Sequence, residues 1–229
     1  MNRQALLFRC LPARVSLAGL IACALLLAAC SNLKFDYLPP TNQANHGYRP
    51  GQFVASVDNV WSASLKAVEA NEQWILALAE RDMGLIVIEL ANPRPPSDYV
   101  DCGLIDGKEA VEAFRGAVTE RKGLMRIYLG KGSTKLRVQS EIRLSAEGSD
   151  QTRVRVDSTY DLHVDTAAWN RFVTTYGYVF SRNWSFATGG ESTQAFGSYA
   201  RIESITCRPT HALERRLLQD IEELLTGTS

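Results

Sequence analysis

Asp157, Asp161, His163 and Asp165 fall on alternate positions of one stretch, with Thr159 among them. In an extended strand the odd-numbered side chains share a face, so three carboxylates and an imidazole line up. Such oxygen and nitrogen donors could bind a divalent cation. Successive same-face positions lie about 7 Å apart, however, so a single strand rarely closes a coordination sphere. The same face also carries Arg153 and Arg155, and the preceding stretch carries Lys135, Arg137 and Arg143. A solvated, salt-bridged sheet face accounts for all of these residues, and no metal or cofactor is expected.

A second constellation is aromatic. Tyr176, Tyr178, Phe180, Trp184 and Phe186 recur at even positions. They could line a pocket for an apolar ligand, or form the packed inner face of a strand, which their spacing favours. His46 and His211 have no neighbour in sequence that suggests catalysis. No phosphate loop, nucleophile elbow or two-histidine zinc motif occurs. No catalytic residues are assigned, and the chain reads as non-enzymatic.

Both constellations need a sheet to place them. Leu136, Val138, Ile142 and Leu144 alternate with Lys135, Arg137, Gln139, Glu141 and Arg143. After a Gly148-Ser149-Asp150 turn, Val154, Val156, Tyr160, Leu162 and Val164 alternate with Arg153, Arg155, Asp157, Asp161 and Asp165. That pattern is an antiparallel hairpin with one face on a core and one in water. Upstream, Val57, Val60, Trp61, Leu65 and Val68 recur at spacings of three and four, a helix stripe with Ser56 as N-cap and an end near Asn71. Trp74, Leu76 and Leu78 then alternate, Arg81-Asp82-Met83-Gly84 turns the chain, and Leu85-Ile86-Val87-Ile88 reads as a strand. Ala91 to Gly103 holds three prolines and is a loop, while residues 104–123 carry no clear pattern. Past the hairpin, Trp169 to Thr175 leads into the aromatic strand, Gly189-Gly190 turns, and Phe196 to Ile205 returns. A final helix begins at about Thr210, with Pro209 at its start. Leu213, Leu217, Ile221 and Leu224, with Leu218 and Leu225 beside them, form its apolar face. The expected class is α+β: an antiparallel sheet packed by an N-terminal and a C-terminal helix in a two-layer sandwich.

The N-terminal segment supplies the address. Residues 1–14 hold Arg3, Arg9 and Arg14 and no acid, and Val15–Leu27 is apolar. Those thirteen residues are too short for a transmembrane helix, which takes about 20, and they suit the apolar region of a signal peptide. Leu27-Ala28-Ala29-Cys30 follows at once and resembles the cleavage box of bacterial lipoprotein signal peptides. The resemblance implies cleavage before Cys30, diacylation of its thiol and acylation of the new amino group, with palmitate among the chains. With Ser31 next, it also implies sorting to the outer membrane, the domain facing the periplasm. Three acyl chains at about 0.8 kcal/mol per buried CH₂ make such an anchor effectively permanent. On this reading residues 1–29 are the signal peptide, 30–55 the lipidated cysteine and a flexible tether, and 56–229 a single α+β domain. Pro39-Pro40, Gly47, Pro50 and Gly51 break any periodicity in the tether, which as a coil would reach roughly 25–30 Å r.m.s.. Tyr37, Tyr48 and Phe53 within it either dock or are scattered apolar residues.

Loss of residues 1–29 takes the 25 basic groups to 22 against 25 acidic ones, a net of −3. That balance argues against nucleic acid as a partner. Cys10 and Cys23 leave with the signal and Cys30 carries lipid, so Cys102 and Cys207 remain. In the oxidising compartment that export implies, these two read most simply as a disulfide, with two buried free thiols as the alternative. A loop of about a hundred residues gives up to about 4.7 kcal/mol in the chain-entropy account.

Val60-Trp61, the Arg81-Asp82-Met83-Gly84 turn before an aliphatic strand, Asp101-Cys102-Gly103, and a cysteine leading into a Leu213-Glu214 helix together resemble a loose group of bacterial outer-membrane lipoproteins. The helix-then-sheet order over 57–226 is similar to the helix-grip domains of BamC-like lipoproteins of the β-barrel assembly machinery. The chain departs from them in having room for one such domain and in its cysteine pair. The resemblance implies a scaffold or adaptor at the outer membrane, held by acyl chains on Cys30 and working with an envelope protein partner, or alternatively a module that binds an apolar ligand or lipid.

Overall fold

A computed structural model describes residues 35–41, 48–115, 118–122, 125–170, 178–195 and 202–227, with the backbone alone described at 118–122, 125–131, 166–170 and 178–180. The signal segment 1–29, Cys30, His46 and Tyr176 lie outside the described residues. The strands run in order β1 (Tyr37–Leu38), β2 (Gly51–Phe53), β3 (Ile75–Glu80), β4 (Leu85–Ala91), β5 (Val100–Asp101), β6 (Leu104–Ile105), β7 (Lys108–Glu109), β8 (Val118–Lys122), β9 (Met125–Ala146), β10 (Thr152–Asn170), β11 (Tyr178–Ala187), β12 (Ser192–Ala195) and β13 (Ser204–Pro209). The helices are α1 (Val57–Glu69), α2 (Ala110–Arg115) and α3 (Ala212–Thr226). The class is α+β, with antiparallel sheet predominant.

The hairpin read from alternation is the spine. β9 and β10 pair with Leu136 opposite Leu162, Val138 opposite Tyr160, Ile142 opposite Val156 and Leu144 opposite Val154, all buried. Ser140 and Ser158 interrupt the apolar face together, and they satisfy each other in the interior with an Oγ–Oγ hydrogen bond of 2.8 Å. The sheet continues in the order β11-β10-β9-β4-β3, with β2 and β8 added on β10 and β9. Gly84 closes the β3–β4 turn in the left-handed region, at φ +58°, and its backbone lies against β9. A Cβ there would come 2.5 Å from the Leu144 carbonyl oxygen, so both conformation and space demand glycine.

The helices cover one face of this sheet. Ser56 begins α1 by accepting from the Asn59 amide, and Val60, Trp61, Ala67 and Val68 are buried along its stripe. The helix ends at Glu69, two residues short of the expected end. Leu213, Leu217 and Ile221 bury the apolar face of α3, with Leu218, Leu224 and Leu225 half-buried beside them. Its start differs from expectation. Pro209 is the last residue of β13, and His211, at φ +59°, reverses the chain so that the helix begins at Ala212. The unpatterned stretch 104–123 holds β6, β7, α2 and β8, elements too short for periodicity to register.

Two further differences concern connections. The strand after Gly189-Gly190 is β12, which pairs with β13 in a small sheet of order β12-β13-β5 rather than returning along β11. The expected return over Phe196 to Ile205 falls mostly outside the described residues, and Ser204–Pro209 is its described strand. Residues 35–41 and 48–55 are not a flexible coil. Lys34–Ser229 forms one unit, in which Phe35 is buried and β1 pairs with β6. Tyr37 Oη accepts from the Thr206 amide at 3.0 Å, and β2 pairs with β10. Aromatic burial and ladder hydrogen bonds fasten a segment whose prolines and glycines had suggested a spacer.

Candidate functional site

The outer face of β10 is where the carboxylates and His163 lie, and neighbours engage Asp157, His163 and Asp165. Arg155 Nε donates to Asp157 at 3.0 Å, and Asp161 sits in register with Arg137, which bonds Glu89 on β4 at 3.2 Å. His163 Nδ1 is 2.6 Å from Asn183 Oδ1 on β11, and its Nε2 is 3.1 Å from Asp165 Oδ2. A hydrogen bond from Ser181, opposed by slight desolvation and joined by His163, holds the Asp165 carboxyl below the usual carboxylate range. Among the described residues no three His, Cys, Asp or Glu side chains gather in a way that could hold a metal ion.

The inner face contains the polar cluster that sequence reading missed. Glu214, from the first turn of α3, is fully buried, and Tyr160 Oη on β10 lies 2.9 Å from both carboxylate oxygens. Thr188 donates to Oε1 at 3.0 Å, and the buried His211 Nδ1 stands 3.9 Å away. Burial pushes the Glu214 carboxyl up, but His211, the helix backbone, Tyr160 and Thr188 together outweigh it and hold it below the ordinary range. Burial first, then the Glu214 charge, drives the Tyr160 hydroxyl far up. Tyr48 stacks on His211 with centroids 6.2 Å apart and accepts from the Val156 amide; burial pushes its hydroxyl up to about 12. A signal for this cluster was present: Glu214 is an acid at a position of the α3 apolar face, three before Leu217 and four before Leu218. The arrangement fastens α3 and the entry segment to β10.

The aromatic residues divide. Trp184 is buried against Phe114, with centroids 6.2 Å apart, and donates its indole N–H to the Ile205 carbonyl at 3.0 Å. Phe186 stacks on Tyr160 at 5.6 Å. Tyr178 and Phe180 belong to β11 by backbone, and their side chains, like Tyr176 altogether, lie outside the description. Cys102 and Cys207 are disulfide-bonded, S–S 2.00 Å, joining the loop after β5 to β13. Beside that bridge Arg208 is buried and donates to the Thr41 carbonyl and to Asp101.

The β3 edge exposes an apolar surface. β3 ends the large sheet, pairing only with β4 among the described residues. Its Ile75, Leu76 and Leu78, with Met83 in the following turn, are between 41 % and 62 % exposed. Ile75 and Leu78 stand opposite Glu89 and Val87, whereas Leu76 stands opposite Ile88, so the patch wraps the edge. A cleft of about 890 Å³ opens elsewhere, between β2, α1 and the end of α3, with Phe53, Val54, Leu224 and Leu225 in its lining. Trp184 and Phe186 do not line it. No described helix is long and apolar enough to cross a membrane. Comparison of the chain with family models, with curated proteins and with solved structures finds no match.

Proposed function

We propose that this chain is a non-enzymatic adaptor of the bacterial envelope, anchored in the outer membrane by acyl chains on Cys30, with its domain in the periplasm and a protein partner on the β3 edge. The exposed apolar edge carries the reading. An edge strand offers unpaired backbone donors and acceptors, and a solvent-facing run of isoleucine, leucine and methionine gains from being covered. The titratable clusters support it indirectly, since Asp157, His163, Asp165, Tyr160 and Glu214 are engaged in ion pairs and hydrogen bonds. The helix-grip likeness belongs with this proposal, and contacts of α1 with α3, of α1 with β9 and of α3 with β10 support it.

Recovery of the acylated protein with its partner from gently solubilised, crosslinked membranes tests the reading. Leu76→Asp and Leu78→Asp should weaken partner retention about thirtyfold, a hot-spot loss of about 2 kcal/mol. Undiminished retention would refute the β3 assignment. Separately, Cys30→Ala should abolish palmitate labelling; a labelled variant would refute the anchor. The second reading, an apolar ligand or lipid, is favoured only by the α1–α3 cleft, where Val54 is 88 % exposed. It predicts a defined small molecule in the extract of the purified protein.

A further inference from the structure

The first described residue, Phe35, lies close in sequence to the proposed anchor. Phe35 is buried and stands five positions after Cys30, with four residues between them. Fully extended, that distance is at most about 18 Å, roughly a fifth of the ~90 Å that a stretched 25-residue tether could reach. The following residues, β1, are fixed to the domain. They pair with β6 in a sheet of order β1-β6-β7, and Gly103, at φ +78°, lets the chain lie against the Leu38 carbonyl where a Cβ would come within 2.2 Å.

In this sheet Leu38 is directly opposite Leu104, and the two are 58 % and 37 % exposed. Directly opposed side chains in an antiparallel pair stand about 5 Å apart, so they form one apolar spot. Tyr37 and Ile105, the adjacent pair, face the other way: Ile105 is buried and Tyr37 reaches Thr206. The core therefore has no use for Leu38 and Leu104, although the same two short strands supply it with Ile105. Eight residues from Cys30, Leu38 lies at most about 29 Å along the chain from the acyl chains.

We propose that the Leu38–Leu104 face of the β1–β6 pair rests on the phospholipid surface and fixes the orientation of the domain on the membrane. The short tie to Cys30 holds this face at high effective concentration against the bilayer, so two leucines suffice where they would not bind from solution. The inference rests on lipidation of Cys30. The exposed charges of the same sheet, Asp36, Asp106, Lys108 and Glu109, bring more negative than positive charge, so attraction is apolar and does not call for an anionic lipid.

Spin labelling of the acylated protein in phosphatidylethanolamine–phosphatidylglycerol vesicles tests this. Acylation blocks Cys30 and the disulfide occupies Cys102 and Cys207, so a single introduced cysteine is the one free thiol of the mature chain. Labels at Leu38→Cys and Leu104→Cys should collide with oxygen severalfold more, relative to a water-soluble nickel complex, than a label at the exposed Gln219→Cys on α3. Equal, water-like ratios at all three positions in protein whose intact mass shows the acyl chains would overturn the membrane-facing surface and leave the lipoprotein reading standing. An intact mass without acyl chains would overturn that reading, and this inference with it.

Discussion

The two faces of β10 carry similar side chains under opposite conditions. Outside, Asp157, His163 and Asp165 are each engaged by a cation, an amide or a hydroxyl, and Asp161 stands in register with Arg137. Inside, one buried carboxylate, Glu214, meets Tyr160 and Thr188 at hydrogen-bond distance, with His211 Nδ1 3.9 Å away. Four titratable groups in a row look like chemistry but are replaceable, because solvent stands in for any lost partner. A single acid under a helix looks incidental but is not, because nothing stands in for a partner lost in the interior. Inside, the buried His211 Nδ1 has no hydrogen-bond partner among the described residues, and away from both clusters the β3 edge exposes an apolar patch.

The largest effect should come from Glu214→Ala. It leaves the buried Tyr160 hydroxyl without its acceptor and a void beneath α3, and should lower unfolding free energy by about 3 kcal/mol in urea melts. A loss under 1 kcal/mol would erase the contrast between the faces. Tyr160→Phe removes the donor that reaches both oxygens and should lose about 1.5–3 kcal/mol, as hydrogen bonds to charged groups do. The pH dependence sharpens the point. Glu214 lies below its ordinary 4.5 in the folded state, so its contribution is present above that value and disappears as pH falls through and below it. Tyr160 lies above its ordinary 10.0, so its contribution is present below that value and disappears as pH rises past it. Glu214→Gln should flatten the acid limb of stability against pH relative to the parent chain. The smallest effect belongs outside: Asp161→Asn with His163→Asn should shift stability by less than about 0.5 kcal/mol. A larger loss would make the outer face more than a solvated surface.

Much of this was legible because periodicity is a physical consequence of burial. Alternation fixed the β9–β10 hairpin, spacings of three and four gave α1 and α3, and Arg81 to Gly84 announced the turn before β4. What escaped depended on contacts distant in sequence. Glu214 finds Tyr160 54 positions away, and Tyr37 finds Thr206 169 positions away, so neither partnership leaves a local pattern. Residues 35–41 and 48–55 read as spacer because prolines and glycines mark any irregular chain, docked or free, and only the aromatic residues there hinted at docking. The start of α3 was misplaced because Pro209 suits a helix's first turn as well as a strand's end, and the left-handed turn at His211 has no glycine to betray it. The exposed β3 edge was legible as a strand but not as an edge, since strand order is a property of the whole sheet.

The most direct test of the adaptor account places a photo-crosslinking amino acid at Leu78 on the β3 edge and, in a parallel strain, at Asp161 on the outer face of β10. The account predicts one discrete crosslinked protein from position 78, lost when Leu76→Asp is added, and none from position 161. No crosslink at 78, or the same crosslinks from both positions, would contradict it.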